Sequence, residues 1–342
     1  MLVIQSRIPE SAQLWTHSWG PATLCTRNRR KFLRLAATAP LAYSSLSRGS
    51  SQAPEIAFTF DDPKLNGGGG LRWQDINDRL LQALAARKLR ATLFVCGKRI
   101  DQGEGRQLIT QWDRAGHGIA NHSYSHLYFN ASGGSGSDAK VTLAEFEADA
   151  LRNEPLVSGY TNFTRLFRFP FFKEGNTVEK RDGMRSFLKQ RRYRIGRATI
   201  DASDWAISAR MESRIKQDSS ANLAPYRDFF LQHIWDRAQF YDSLSRRMLG
   251  RSARHTVLLH HNPLNARFLD GLIGMFVAKG WRPVDANYAY SDEVYDEQPN
   301  ILPAGESLIW ALAKQSGKFE NELRYPGEDD VYEKPKMDAL KL

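Results

Sequence analysis

From residue 55 onward, short β-branched and aromatic runs alternate with longer polar stretches whose apolar residues recur at helical spacing. That alternation restricts the body of the chain to an α/β architecture. Strands are predicted over residues 56–60, 91–95, 166–169, 195–200 and 256–260. Between the first two, Ile76, Leu80, Leu81, Leu84 and Leu89 fall at spacings near three and four and predict a helix over 76–89 with one buried face. Helices are also predicted over 108–115, closed by Gly116, and over 143–153, while Phe229, Phe230, Ile234, Trp235, Phe240 and Leu244 suggest one or two long helices within 221–250. The stretch 130–138 is a loop by composition. The last fifty residues lose the strand pattern, and we expect a tail wrapped on the body, with one apolar helix near 307–313.

Composition narrows the class. With 42% hydrophobic and 25% charged residues the 342-residue chain can bury a core. It has no run of about 20 apolar residues, so an integral membrane protein is not expected. Two cysteines, Cys25 and Cys96, cannot build a disulfide framework or a thiolate zinc cage, so any metal would be held by histidine and carboxylate.

The net charge of +10 is concentrated at the start. Residues 1–50 hold seven basic side chains against Glu10 alone. No later tract gathers Lys and Arg with interleaved aromatics, and nucleic acid is not expected as a partner. Instead, Arg29-Arg30-Lys31-Phe32-Leu33 is followed by a weakly apolar stretch to Leu46 and a small-residue sequence, Ser51-Gln52-Ala53. The order of charge, apolar run and cleavage site is that of an export leader, and the paired arginines resemble the signal read by the twin-arginine pathway. Pro40 and the crowding serines argue against a basic first helix of the mature protein. The expected organisation is a leader over 1–53, a catalytic domain over 54–290 and an extension over 291–342. The protein would then engage the twin-arginine machinery during transport and reside in the periplasm or outside the cell.

Five polar clusters follow predicted strands, and the carboxyl ends of strands are where an α/β barrel builds its active site. The first is Thr59-Phe60-Asp61-Asp62, whose adjacent carboxylates point apart and can take separate tasks; Asp-Asp-Pro is also an ordinary turn sequence. The second is His122-Ser123-Tyr124-Ser125-His126. On one turn of helix that spacing sets both imidazoles on one face, able to share a divalent ion or equally to be solvated or packed. Two histidines with one carboxylate would leave coordination positions open, as a catalytic site requires. Arg168-Phe169-Pro170-Phe171, Asp201-Ala202-Ser203-Asp204-Trp205 and Leu258-Leu259-His260-His261 complete the set. Each is weak alone: an ion pair, a turn beside a core aromatic, a core histidine.

Taken in order, these segments resemble the family 4 carbohydrate esterases, the polysaccharide deacetylases built on the NodB homology domain, across roughly residues 55 to 290. The clusters match that family's Thr-Phe-Asp-Asp, His-(Ser/Thr)-x-x-His, Arg-x-Pro-aromatic, Asp-x-x-Asp-Trp and aliphatic-x-x-His segments in sequence order. The resemblance implies an irregular (β/α) barrel of seven or eight strands. It also implies that Asp62, His122 and His126 hold a divalent metal, zinc ahead of cobalt, nickel or manganese. Asp61 would be the general base, taking a proton from a metal-held water. The backbone N–H of Phe171 would meet the tetrahedral oxyanion. His260 would be the general acid to the leaving amine, with Asp204 orienting it and favouring its protonated form. Arg168 would position Asp61 and keep it ionised, and Trp205 would form an apolar wall against the acetyl methyl or a sugar face.

Two features depart from the pattern. His261 stands where the family more often has an acidic residue; His260 is the preferred acid because Val257, Leu258 and Leu259 precede it, and His261 would face the opposite side of the strand. Residues 66–70 carry four glycines, which suggests a mobile lid in preference to an inert loop. The expected activity is that of an exported, metal-dependent enzyme removing N-acetyl groups from an N-acetylated polysaccharide, with peptidoglycan and an extracellular N-acetylglucosamine polymer as candidates. A hydrolase of a small amide or imide on the same fold is the nearest alternative. A non-catalytic carbohydrate-binding protein is the third, against which the presence of both proton-transfer groups argues.

Overall fold

The computed structural model describes residues 52–131, 140–323 and 330–342. The expected leader, apart from residues 52 and 53, and residues 132–138 of the expected loop lie outside the described residues.

The strands are β1 (Glu55–Asp61), β2 (Thr92–Val95), β3 (Gly118–Asn121), β4 (Phe163–Phe167), β5 (Lys173–Gly175), β6 (Arg194–Ile195), β7 (Arg254–His260), β8 (Arg282–Pro283) and β9 (Ala304–Gly305). Around them run α1 (Trp73–Ala86), α2 (Gly105–Arg114), α3 (Leu143–Val157), α4 (Val178–Gln190), α5 (Asp204–Gln217), α6 (Ala224–Leu249), α7 (Pro263–Ala278), α8 (Ala286–Ala289), α9 (Leu308–Ser316) and α10 (Glu333–Ala339). All seven residues of β1 are buried, because β2 and β7 flank it in parallel and both faces are covered.

The main sheet runs β6-β4-β3-β2-β1-β7, with β8 also paired to β1. Its curl is closed by the chain from 194 to 200: Gly196 N–H donates to Phe167 O of β4 at 2.7 Å, and at the other end Leu258 N–H of β7 donates to Ile200 O at 3.0 Å. This is the expected irregular barrel, with seven strands in the main sheet. The strand predicted over 195–200 shortens to β6 plus a single bridge between Ile200 and Val257. The crossing is tight, since a Cβ at Gly196 would lie 2.5 Å from the Phe94 ring.

Helix α1 begins at Trp73, where the Asp75 carboxylate accepts from Arg72 N–H at 3.0 Å, and buries Trp73, Ile76, Leu80 and Leu84 against the sheet. The long-helix expectation is met by one helix, α6. Among the described residues no helix is long and apolar enough to cross a membrane. A second core of aromatics, in which Phe129, Phe146 and Phe169 stack and Phe167 meets Phe146 and Phe169 edge-on, packs under the loops after β3 and β4.

The last fifty residues are more than a wrapped tail. Leu308, Ile309 and Met337 are fully buried in the main core, and β9 pairs antiparallel with β5.

Candidate active site

Asp61 closes β1 and His260 closes β7, and the two are direct register partners on adjacent parallel strands. Asp62 follows with φ 58°, a left-handed turn that sends its carboxylate away from that of Asp61. The two histidines of the second cluster sit in a loop after β3, not on a helical turn. Ser123 and His126 have φ of 60° and 58°, and this kinked path brings the rings to 5.1 Å apart. Asn121 and Asp149 shape the loop: Asn121 Oδ1 accepts from Ser123 N–H at 2.9 Å, and the Asp149 carboxylate on α3 accepts from the N–H groups of Tyr124 at 3.0 Å and Ser125 at 2.9 Å.

Asp62, His122 and His126 offer ligand atoms that all lie within 4.8 Å of one another. His126 Nε2 is 3.3 Å from Asp62 Oδ2, and His122 Nε2 is 4.0 Å from Asp62 Oδ1. His122 Nδ1 lies 2.8 Å from Arg168 O, which can only accept, so Nδ1 carries the proton and Nε2 presents its lone pair to the cluster. Burial pushes both imidazoles down to about 4, keeping them neutral as ligands must be. Asp62 stays ionised: burial would raise its carboxyl, but His126, His122 and Arg99 outweigh that and bring it to about 2. Asp62 Oδ1 is ion-paired with Arg99 Nε at 3.0 Å, while Oδ2 faces His126. The ionised carboxylate, the neutral nitrogens and their spacing together fit a divalent cation.

Arg168, 1% exposed, is held on four sides. It donates to Asp61 Oδ1 at 2.6 Å, to Thr59 Oγ1 at 3.0 Å, to Tyr290 Oη at 2.9 Å and to Gly196 O at 2.7 Å. Its guanidinium lies 3.8 Å from the Phe94 ring centre. Burial raises Asp61 to about 6 against the opposing pull of Arg168. His260 moves the other way from its burial: desolvation would lower it, but the Asp204 carboxylate, 2.7 Å from Nδ1, raises it to about 9. Asp204 is itself fixed by His260 N–H at 3.0 Å, Asn262 Nδ2 at 2.8 Å and Asn265 Nδ2 at 2.6 Å. His261 points elsewhere, with Nε2 3.2 Å from Asn77 Oδ1, and burial lowers it to about 4.

Phe171 and Trp205 are exposed at 42% and 40%. The Phe171 ring stands edge-on to His126 at 4.5 Å and to Tyr128 at 5.4 Å. Phe171 and Phe172 both have φ of 55°, a left-handed conformation that bulky residues rarely adopt. The glycine-rich stretch is a pinned turn in place of the expected lid. Gly68 and Leu71 exchange backbone hydrogen bonds at 2.9 Å, Arg267 donates to Gly69 O at 2.6 Å, and a Cβ at Gly68 would collide with Glu212.

Asp61, Asp62, His122, His126, Arg168, Asp204 and His260 are linked by the contacts given above, and Phe171 lies against His126, whereas Trp205 opens α5 as an exposed ring. Thr59, Arg99, Asp149 and Tyr290 were not anticipated; Thr59 alone had a signal, its place inside the first motif.

A curled parallel sheet thus carries a carboxylate–imidazole pair beside a two-histidine, one-aspartate cluster. Residues 48–186 match the family model described as polysaccharide deacetylase. The fourth and fifth motifs lie beyond the matched residues. No curated protein sequence matches the chain. Among solved structures, the chitin deacetylase of Colletotrichum lindemuthianum is 19% identical over 71% of this chain and 90% of that one, with a TM-score of 0.48. A family 4 carbohydrate esterase from Streptomyces lividans, in complex with acetate, is 23% identical over 68% and 93%, with a TM-score of 0.42. A CE4 family pseudoenzyme from Bacillus anthracis is 16% identical over 70% and 66%, with a TM-score of 0.47.

Proposed function

We propose that the chain is a metal-dependent hydrolase that removes N-acetyl groups from an N-acetylated polysaccharide. The observation that carries this reading is the pairing of Asp61 with His260 on neighbouring strands beside the Asp62, His122 and His126 cluster. With Asp61 at about 6 and His260 at about 9, there is a neutral window in which one is ionised and the other protonated. A base and an acid poised together in this way suit cleavage of an amide, which needs one proton removed from water and another given to the amine.

A divalent cation held by Asp62, His122 and His126, zinc ahead of cobalt, nickel or manganese, would supply Lewis acidity. Asp61 takes the proton of the attacking water, aimed by Arg168. The N–H of Phe171 donates to the oxygen on which negative charge develops. His260, oriented by Asp204, gives its proton to the leaving nitrogen. The exposed rings of Phe171 and Trp205 offer apolar faces to a sugar, which favours an extended glycan over a small amide. The leader read from the sequence would carry the protein through the twin-arginine pathway to a periplasmic or extracellular substrate.

The test is acetate release from N-acetylglucosamine oligomers and from peptidoglycan, with chelator and then zinc added. Release abolished by chelator and restored by zinc is expected. No release from a protein with confirmed bound metal would move the assignment to a small amide.

A further inference from the structure

The conformation of Phe171 and Phe172 has to be maintained by something. Two successive aromatic residues at φ 55° are strained and persist only where their surroundings hold them. Within the turn, Phe172 N–H donates to Phe169 O at 3.1 Å. Lys173 N–H also donates to Pro170 O, and a further backbone anchor comes from more than 130 residues away: Glu306 N–H donates to Phe172 O at 3.0 Å.

Around that bond the C-terminal segment is sewn in closely. β9 pairs with β5, matching Lys173 with Gly305. Lys173 Nζ meets Glu306 Oε1 at 2.5 Å, and Leu308 N–H donates to Ala198 O at 2.8 Å. Gly305 has φ +128°, and a Cβ there would collide with the carbonyl oxygen of Phe172. The approach is therefore possible only for glycine.

We infer that residues 304–306 are a brace for the active site: Gly305 and Glu306 are positioning residues that hold the Phe171–Phe172 turn and so set the direction of the Phe171 N–H. This rests on the deacetylase reading for the role of that N–H, but not for the brace itself. The extension beyond residue 290 thereby becomes part of the catalytic apparatus, acting through the turn and touching no substrate.

The test compares Gly305→Ala and Glu306→Gly with Gly317→Ala, all in the full chain. Gly317 also has positive φ, +65°, but nothing lies within 4 Å of a Cβ there, so this control places alanine at positive φ away from the turn without a collision. Glu306→Gly removes the Lys173 pair and suits the φ of 70°, which guards against a variant that fails only by misfolding. Amide hydrogen exchange over residues 169–175 is measured first, because it needs no activity. Faster exchange is expected in Gly305→Ala and Glu306→Gly, and wild-type exchange in Gly317→Ala. On a glycan that the wild type deacetylates, Gly305→Ala should lower kcat about tenfold or more, since a displaced oxyanion donor loses much of its effect. The loss should fall on kcat more than on KM. Exchange at the wild-type rate in Gly305→Ala and Glu306→Gly would overturn the brace. Faster exchange in a family of variants whose wild type releases no acetate would keep the brace and instead remove the deacetylase reading.

Discussion

Asp61 and His260 face each other as register partners at the ends of β1 and β7, and each is controlled by one buried ionic partner. Arg168 grips Asp61 at 2.6 Å and Asp204 grips His260 at 2.7 Å. The two pairs set opposite proton-transfer roles on adjacent strands.

The first consequence is a bell-shaped dependence of kcat/KM on pH. Below about 6 Asp61 becomes protonated and cannot act as base; above about 9 His260 loses its proton and cannot act as acid. A bound cation lowers both limbs through its own charge. Asp204→Asn removes the carboxylate that raises His260, so the alkaline limb should fall by about one pH unit or more while the acid limb stays. An alkaline limb unmoved in Asp204→Asn would assign it to another group.

Asp149 should matter to metal binding without being a ligand. Its carboxylate accepts from the backbone of Tyr124 and Ser125, between the two histidines. Asp149→Ala should weaken zinc affinity by about 10–100-fold, measured by competition with a chromophoric chelator, with turnover largely recovered at saturating zinc. Unchanged affinity would show that the loop holds its shape without Asp149.

Asp242 makes stability depend on acid at a place remote from the catalytic motifs. Burial would raise its carboxyl, but His255 at 3.3 Å, Ser252 and Arg246 at 2.8 Å hold it at about 2. A carboxyl depressed in the folded state adds stability that is fully present above its ordinary range and is lost as pH falls toward the folded value. In urea melts, Asp242→Asn should reduce both the stability at pH 6 and its decline between about pH 4 and pH 2. Equal acid slopes in the two proteins would contradict this.

The sequence made β1, β2 and β7 legible because they are buried on both faces and carry apolar runs. It did not reveal β3, whose four residues Gly118–Asn121 hold only two apolar side chains, or β5, β8 and β9, which are two or three residues long and exist only through their partners. The choice of His260 over His261 was available from strand alternation, and the structure places the two imidazoles against different neighbours, Asp204 and Asn77. The spacing of His122 and His126 suggested one turn of helix, but positive φ at Ser123 and His126 produces the same convergence in a loop. Tyr290 and Asp149 left no local signal, since their significance lies in contacts with Arg168 and with a backbone path that periodicity does not describe.

The central claim is a division of labour between neighbouring carboxylates, Asp61 for proton transfer and Asp62 for metal. The most direct measurement is zinc content and turnover in Asp61→Asn beside His126→Ala. The account predicts that Asp61→Asn retains zinc and loses nearly all turnover, about 100-fold or more, whereas His126→Ala loses both. Equal loss of zinc in the two variants would contradict it.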